Sequence, residues 1–318
     1  MPRRRILGKK LFKSLLPLLF LLFLAVIAAL SFILYRIVIP PRRSYLVTPQ
    51  AFAQISGPVL RVTDESWQNF DNTAARGWLL RGAEGAPAVV LTHRYGADRS
   101  WLFNLGVKLY EATNFTILWP DLRGHGLNPT VVWTSFGTSE GDDVQAALDF
   151  LKSLKTSRGN KQVGDRMGLY GVELGAYASL RAAVQNKAVR VLVLDSIPES
   201  PDELVRAVVK DDLGLSNPPM QQLTRVAVRI YYLGRYKNTS TCELATTLQD
   251  RRILLLSGSD AGYLRDSTGA LGRCLQGAAN LEIKTDLPLT GLNLPSATGE
   301  QGEGYDRQVI DFFDKNLR

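Results

Sequence analysis

One apolar stretch stands apart from every other along the chain. From Leu15 to Tyr35 there is no charged residue, and about 20 apolar residues are enough to cross a bilayer as a helix. After Pro40-Pro41-Arg42-Arg43 the pattern changes to short apolar runs alternating with segments of helical spacing. Arg76–Arg81, Ala88–Thr92, Phe115–Trp119, Arg166–Tyr170, Val189–Leu194, Ile253–Leu256 and Leu281–Thr285 read as strands. Several of these are continuously apolar, as strands of a parallel sheet buried on both faces are. Ser100–Ala112, Asp142–Leu154, Leu174–Val184 and Tyr305–Asn316 have helical periodicity; in the second, Val144, Ala147, Leu148, Leu151 and Leu154 share one face. Between Ser196 and Arg252 the alternation lapses, and two helical segments, Pro201–Lys210 and Gln221–Tyr236, are separated by Ser216-Asn217-Pro218-Pro219.

Strands alternating with helices predict an α/β fold with a mostly parallel sheet flanked by helices. The interrupted stretch is expected to form a small helical cap over the strand ends. The expected organisation is a basic cytoplasmic N-terminus at 1–14, a transmembrane helix at 15–39, a linker at 40–60 and one globular domain at 61–318, with the cap inserted at about 197–250.

Charge sharpens this division. Residues 1–43 hold nine of the 38 Lys and Arg residues and no acid, so the remainder carries 29 basic against 30 acidic residues. The formal +8 therefore belongs to the N-terminal segment and gives a nucleic-acid-binding surface no support. A cleavable signal peptide has a shorter apolar core and a small-residue cleavage site. The sequence Arg36-Ile37-Val38-Ile39-Pro40-Pro41-Arg42-Arg43 offers no such site, so an uncleaved signal-anchor is expected, with the lipid bilayer as partner of residues 15–39. Six cations precede the span and three follow it closely; the positive-inside bias then leaves the N-terminus cytoplasmic and the globular domain on the other side. Two cysteines, Cys242 and Cys274, could form a disulfide there or remain buried thiols. No GxGxxG, P-loop or metal-spaced Cys/His set occurs, so neither cofactor nor metal is expected.

The chemistry turns on Gly171-Val172-Glu173-Leu174-Gly175, which lies between a predicted strand and a predicted helix. Three further stretches accompany it in order: Leu91-Thr92-His93-Arg94-Tyr95-Gly96, Asp121-Leu122-Arg123-Gly124-His125-Gly126, and Ser135 to Leu151. Together these resemble the α/β-hydrolase family over most of residues 75–316. The first is similar to the His-Gly segment that supplies an oxyanion donor, the second to the D-x-R-G-H-G loop, and the third to the approach to the helix before the nucleophile elbow, G-x-S-x-G. The resemblance implies an α/β-hydrolase fold, with His93, Arg94 and Leu174 around the oxyanion region and Gly171 and Gly175 permitting the tight elbow. It also implies a Ser–acid–His triad in chain order.

At those positions the sequence departs from the family. The nucleophile position holds Glu173, the acid position Asp260, and the histidine position, near Leu292, holds no histidine. Glutamate is one methylene longer than the aspartate nucleophile of dehalogenase-like relatives, and an ester formed on it would still need a histidine-activated water. The following helix dipole favours its ionised form, so Glu173 is expected to lie over the vacant oxyanion donors. Arg94 replaces a glycine and is expected either to pair with Glu173 or to point to solvent. The two histidines, His93 and His125, are expected to fix loops; Asp195 is a second strand-end acid. Ser135, Ser139 and Ser179 lie outside the elbow, and Asn114 and Asn238 head N-x-S/T sites that matter only in a glycosylating host. The reading is a membrane-anchored pseudo-enzyme that binds a small-molecule, lipid or protein ligand, or acts as a scaffold. The alternative is an active ester or peptide hydrolase built on Glu173 with His93 or His125.

Overall fold

A computed structural model describes residues 3–56, 60–277, 280–296 and 299–318. Residues 1 and 2 of the expected basic segment, and 57–59 of the expected linker, lie outside them. The chain divides into two compact units, one of Met1–Val38 with Val205–Gly234, the other of Ile39–Leu204 with Arg235–Arg318.

In the first unit, α1 (Arg3–Val38) contains an apolar segment, Leu15–Val38, long enough to cross a membrane, with mean hydropathy 2.9. The second unit opens on α2 (Pro49–Ser56) and builds an eight-stranded sheet. Its strands are β1 (Val62–Gln68), β2 (Ala74–Leu80), β3 (Ala86–Thr92), β4 (Thr116–Pro120), β5 (Val163–Val172), β6 (Val189–Asp195), β7 (Arg252–Gly258) and β8 (Leu281–Leu287). They run in the spatial order β1-β2-β4-β3-β5-β6-β7-β8. β2 pairs antiparallel with β1 and with β4, and every other pairing is parallel. Helices α3 (Phe103–Thr113), α4 (Thr138–Ser153) and α5 (Leu174–Gln185) follow β3, β4 and β5 in turn; α9 (Tyr263–Cys274) and α10 (Gly299–Leu317) close the unit. Between β6 and β7 lie α6 (Pro201–Leu213), α7 (Pro218–Tyr231) and α8 (Thr241–Ala245).

The expected mostly parallel sheet flanked by helices is present. Most residues of its central strands are buried, Val89, Val90, Ile117, Leu169, Val193 and Leu255 among them, which is why these strands carry long apolar runs. Several elements depart from expectation, α7 and β1 among them. α7 begins at Pro218, not Gln221: the Asn217 side chain accepts a hydrogen bond from Met220 N, and proline suits a first helical turn because its missing N–H has no partner there. The helix also ends at Tyr231, where Leu233 and Gly234 take positive φ. β1, VTDESWQ, was not expected, because this edge strand buries only Trp67.

The chain just after the apolar segment is held firmly. Tyr45 Oη donates to Asp121 Oδ2 at 2.8 Å and accepts from the Arg99 guanidinium, whose carbon lies 5.0 Å from the Tyr45 ring centre. Cys242 and Cys274 are disulfide-bonded, with Cα atoms 5.9 Å apart, joining the region of α8 to the end of α9.

Candidate functional site

β5 ends at Val172, α5 starts at Leu174, and Glu173 forms the whole turn between them with φ 51° and ψ −107°. A positive φ is strained for a residue with a Cβ, so the elbow is kept in its sharp form although no serine occupies it. The two glycines make the crossing possible. A Cβ on Gly171 would come within 2.4 Å of the Gly175 carbonyl carbon, and one on Gly175 within 2.3 Å of the Thr92 carbonyl oxygen. Thr92 Oγ1 adds a bond to the Tyr170 carbonyl at 2.9 Å, tying β3 to β5 beneath the turn.

Glu173 is buried, and its Oε2 accepts the main-chain N–H of Tyr95 at 2.8 Å. Tyr95 follows β3 by three residues, where the first oxyanion donor of a hydrolase elbow would belong; Leu174, expected at the second, starts α5. The carboxylate thus sits on a donor that an acyl oxyanion would need. Sequence reasoning named His93 and Arg94 for this region and missed Tyr95. A main-chain donor leaves no mark in side-chain identity, and only counting forward from the loop could have found it.

Arg94 does neither of the things expected of it. Its guanidinium carbon lies 4.8 Å from the centre of the Trp101 ring, a cation–π stack, and its Nε is buried without a hydrogen-bond partner. The indole face offers the cation a desolvated partner, so the expected ion pair with Glu173 is not made and the side chain is not released to solvent.

Both imidazoles are committed to the main chain. Leu122 N–H donates to His93 Nε2 at 3.1 Å, which leaves the proton on Nδ1 to bond the Arg94 carbonyl at 2.8 Å. His125 uses Nδ1 on the Arg123 carbonyl at 2.9 Å, and its Nε2 is buried without a hydrogen-bond partner. Burial pushes His93 down to about 4 and His125 down to about 3, so both are neutral at pH 7. Neither is hydrogen-bonded to Glu173 or Asp260.

A group neutral when buried and protonated when unfolded gives stability that is present above its unfolded value of 6.5 and is lost as pH falls toward its folded value. Asp195 and Asp143 oppose this: burial raises each to about 6, so their contribution is full below 3.8 and lost as pH rises through 6. Comparing the parent with His125→Asn, whose amide can still donate to the Arg123 carbonyl, isolates the imidazole. The parent's lead in melting temperature is expected to shrink between pH 7 and pH 4.5. A lead that stays constant across that range would refute the neutral, buried state of His125.

At the far side of the sheet, β7 leads directly to Asp260. Its Oδ2 accepts three hydrogen bonds, each of 3.0 Å, from Thr290 N, Thr290 Oγ1 and Asn293 Nδ2. The acid therefore still grips the loop after β8, where a catalytic histidine would stand, but the residue at that place is the half-buried Leu292. Gly291 in the same loop is held from two more directions: its N–H donates to Asp195 Oδ2 at 2.7 Å, and its carbonyl accepts from Trp101 Nε1 at 2.8 Å. Tyr305 Oη also donates to Asp195 Oδ2, and bonds Tyr170 Oη at 2.6 Å. Asp195, Trp101 and Tyr305 thus fix the loop, in roles the sequence did not reveal. Ser179 is buried and bonded to Thr92 Oγ1 at 2.9 Å, while the Ser135 hydroxyl donates to Glu140 at 2.5 Å.

The strand order, the elbow at Glu173 and the acid beside the last loop define the α/β-hydrolase fold. No protein-family model matches the chain, and no curated protein matches it by sequence. In structure it is similar to an esterase of Pyrococcus furiosus, with a TM-score of 0.66 at 18% identity over 89% of this chain and 99% of that one. Carboxyl esterase 2 from the mycorrhizal fungus Tuber melanosporum gives a TM-score of 0.57 at 13% identity, over 87% of this chain and 91% of the other. The acylaminoacyl peptidase of Pyrococcus horikoshii gives 0.57 at 14% identity; there the match covers 86% of this chain but only 44% of the longer peptidase.

Proposed function

We propose that this protein is a membrane-anchored α/β-hydrolase-fold protein whose catalytic site is degenerate and which acts by binding a small-molecule, lipid or protein ligand, or as a scaffold. The observation that carries this is the Glu173 carboxylate resting on the Tyr95 N–H, with both imidazoles spent on main-chain partners. A hydrolase of this type needs a nucleophile, a base and an open oxyanion donor. Here the Glu173 carboxylate occupies the Tyr95 N–H, and neither His93 nor His125 is hydrogen-bonded to it. Residues 15–39 serve as the anchor, 1–14 as the cytoplasmic end, 40–60 as a linker and 61–318 as the hydrolase-like domain with its cap at about 197–250. The cation bias across the span supports a non-cytoplasmic domain, and the Cys242–Cys274 bond suits an oxidising side.

The retained positive φ at Glu173 is the one feature favouring the alternative, an active ester or peptide hydrolase like the esterases and the peptidase it matches. The two readings part in an assay of the full chain in nanodiscs against short- and long-chain aryl esters at several pH values. No turnover above background, and no difference between the parent and Glu173→Gln, is expected. Turnover that Glu173→Gln abolishes would establish the alternative.

A further inference from the structure

The segment of the first unit that follows α6 has an unusual surface. On α7 and the turn after it, Leu223 is 43% exposed, Val226 42%, Ile230 65% and Leu233 86%. Leu223, Val226 and Ile230 recur at intervals of three and four, the spacing of a single helical face, and Leu233 extends the apolar run into the turn beyond the helix. The other side of the same helix is buried at Thr224 and Val228. α7 is therefore packed along one side and presents a second apolar stripe outward. Arg225 and Arg229 lie on its remaining face, and from Gly214 to Cys242 the chain has no acidic residue at all.

Within this unit α7 packs against α1. Among the described side chains of α1, the buried ones are Ile33, Ile37 and Val38, in its last two turns. Contact at that end places α7 where a membrane-spanning α1 leaves the hydrocarbon and enters the headgroup layer. A contiguous exposed apolar stripe marks an interaction surface, and a cationic amphipathic helix at this level has the composition of one lying in a membrane interface.

We propose that α7 is a second membrane contact: it lies flat in the interface, with Leu223, Val226, Ile230 and Leu233 among the acyl chains and its arginines level with the lipid phosphates. The proposal rests on α1 being a membrane span. The occupant is the bilayer because α7 packs on the apolar helix α1, and because the charged side chains of α7 itself, Arg225 and Arg229, are of the sign that phosphates attract.

The test uses the full chain in nanodiscs of phosphatidylcholine with phosphatidylglycerol. Because the sequence's two cysteines are bonded to each other, a single introduced cysteine takes a fluorescent label cleanly. Three variants are compared: Leu22→Cys inside the span, Leu233→Cys at the end of the stripe, and Lys161→Cys on an exposed residue of the second unit. Lipids carrying a nitroxide near the headgroup are expected to quench Leu233→Cys at least threefold more than Lys161→Cys, and mid-chain nitroxides to quench Leu22→Cys. Leu22→Cys quenched with Leu233→Cys no more quenched than Lys161→Cys would overturn the proposal and leave the anchor standing. A Leu233→Cys label shielded from both lipid nitroxide and aqueous iodide would also overturn it, assigning the stripe to a protein partner. Leu22→Cys unquenched would remove the anchor and the proposal together.

Discussion

Replacing Glu173 with serine and Leu292 with histidine in one chain is expected to create ester hydrolysis where neither replacement alone does. The elbow already holds residue 173 in the strained backbone geometry of a nucleophile, at φ 51°. Removing the carboxylate frees the Tyr95 N–H for an oxyanion, and Asp260 already binds the residues on either side of position 292, through Thr290 and Asn293. An imidazole at 292 then has an orienting acid beside it and a hydroxyl to deprotonate. Glu173→Ser alone lacks a base, because His93 and His125 are neutral and bound to main chain. Leu292→His alone keeps the blocked donor and has no nucleophile. General-base assistance is worth about 10²–10⁴-fold, so the double variant is expected to hydrolyse short aryl esters on the order of 100-fold faster than either single one. An organophosphonate that labels serine nucleophiles should modify residue 173 in the double variant only, as mass spectrometry can show. Equal rates in all three proteins would mean that the loop carrying Leu292 cannot present a histidine to the elbow, and the degeneracy would then reach beyond the two side chains.

Valine in place of Gly171 is expected to abolish stable folding. The new Cβ would stand 2.4 Å from the carbonyl carbon of Gly175 and 2.5 Å from the amide nitrogen of Ala176, main-chain atoms that cannot turn aside as a side-chain tip can. β5 and α5 would have to separate where β3 also meets them. Overpacking in a dense core typically costs about 1–3 kcal/mol, and more where backbone must move. The loss here is placed at about 4 kcal/mol or above, a large part of the 5–15 kcal/mol typical of a folded domain. Gly304→Ala is the control: it lies exposed inside α10 with nothing within 4 Å of the added carbon, and is expected to leave stability unchanged or raise it by up to about 1 kcal/mol. Denaturant melts of both variants check the contrast. A Gly171→Val protein as stable as the parent would show that the elbow can open, and the close crossing would lose its role as the fold's fixed point.

The parts of this fold that sequence made legible are those where burial on both faces leaves a one-dimensional trace. Ala88–Thr92, Phe115–Trp119 and Val189–Leu194 are apolar end to end because helices cover both sides of the sheet. β1 escaped because an edge strand with one buried residue carries no such run. α9 escaped because its buried face is built partly of Ser267, Thr268 and Gly272, residues that do not stand out as apolar. At the site, positions 173, 260 and 292 were read from motif order; in the structure Glu173 accepts the Tyr95 N–H, and Asp260 bonds Thr290 and Asn293 in the loop that carries Leu292. Tyr95, Trp101 and Tyr305 were beyond reach for a different reason. One acts through its main chain, and the others meet their partners only after some 190 and 110 residues of intervening chain have been folded together.

Under the proposed anchoring, the Cys242–Cys274 bond makes the side of the membrane a thermodynamic variable. It closes a loop of 32 residues that contains β7, and in the chain-entropy model a loop of that length restricts the unfolded chain enough to favour the folded one by about 3–4 kcal/mol. Glutathione and thioredoxin keep such thiols apart in the cytosol, whereas exported compartments let them join. Under the proposed anchoring, the direction in which α1 is threaded would decide whether the bond forms, and orientation across the bilayer would be a term in the folding free energy of the domain it carries.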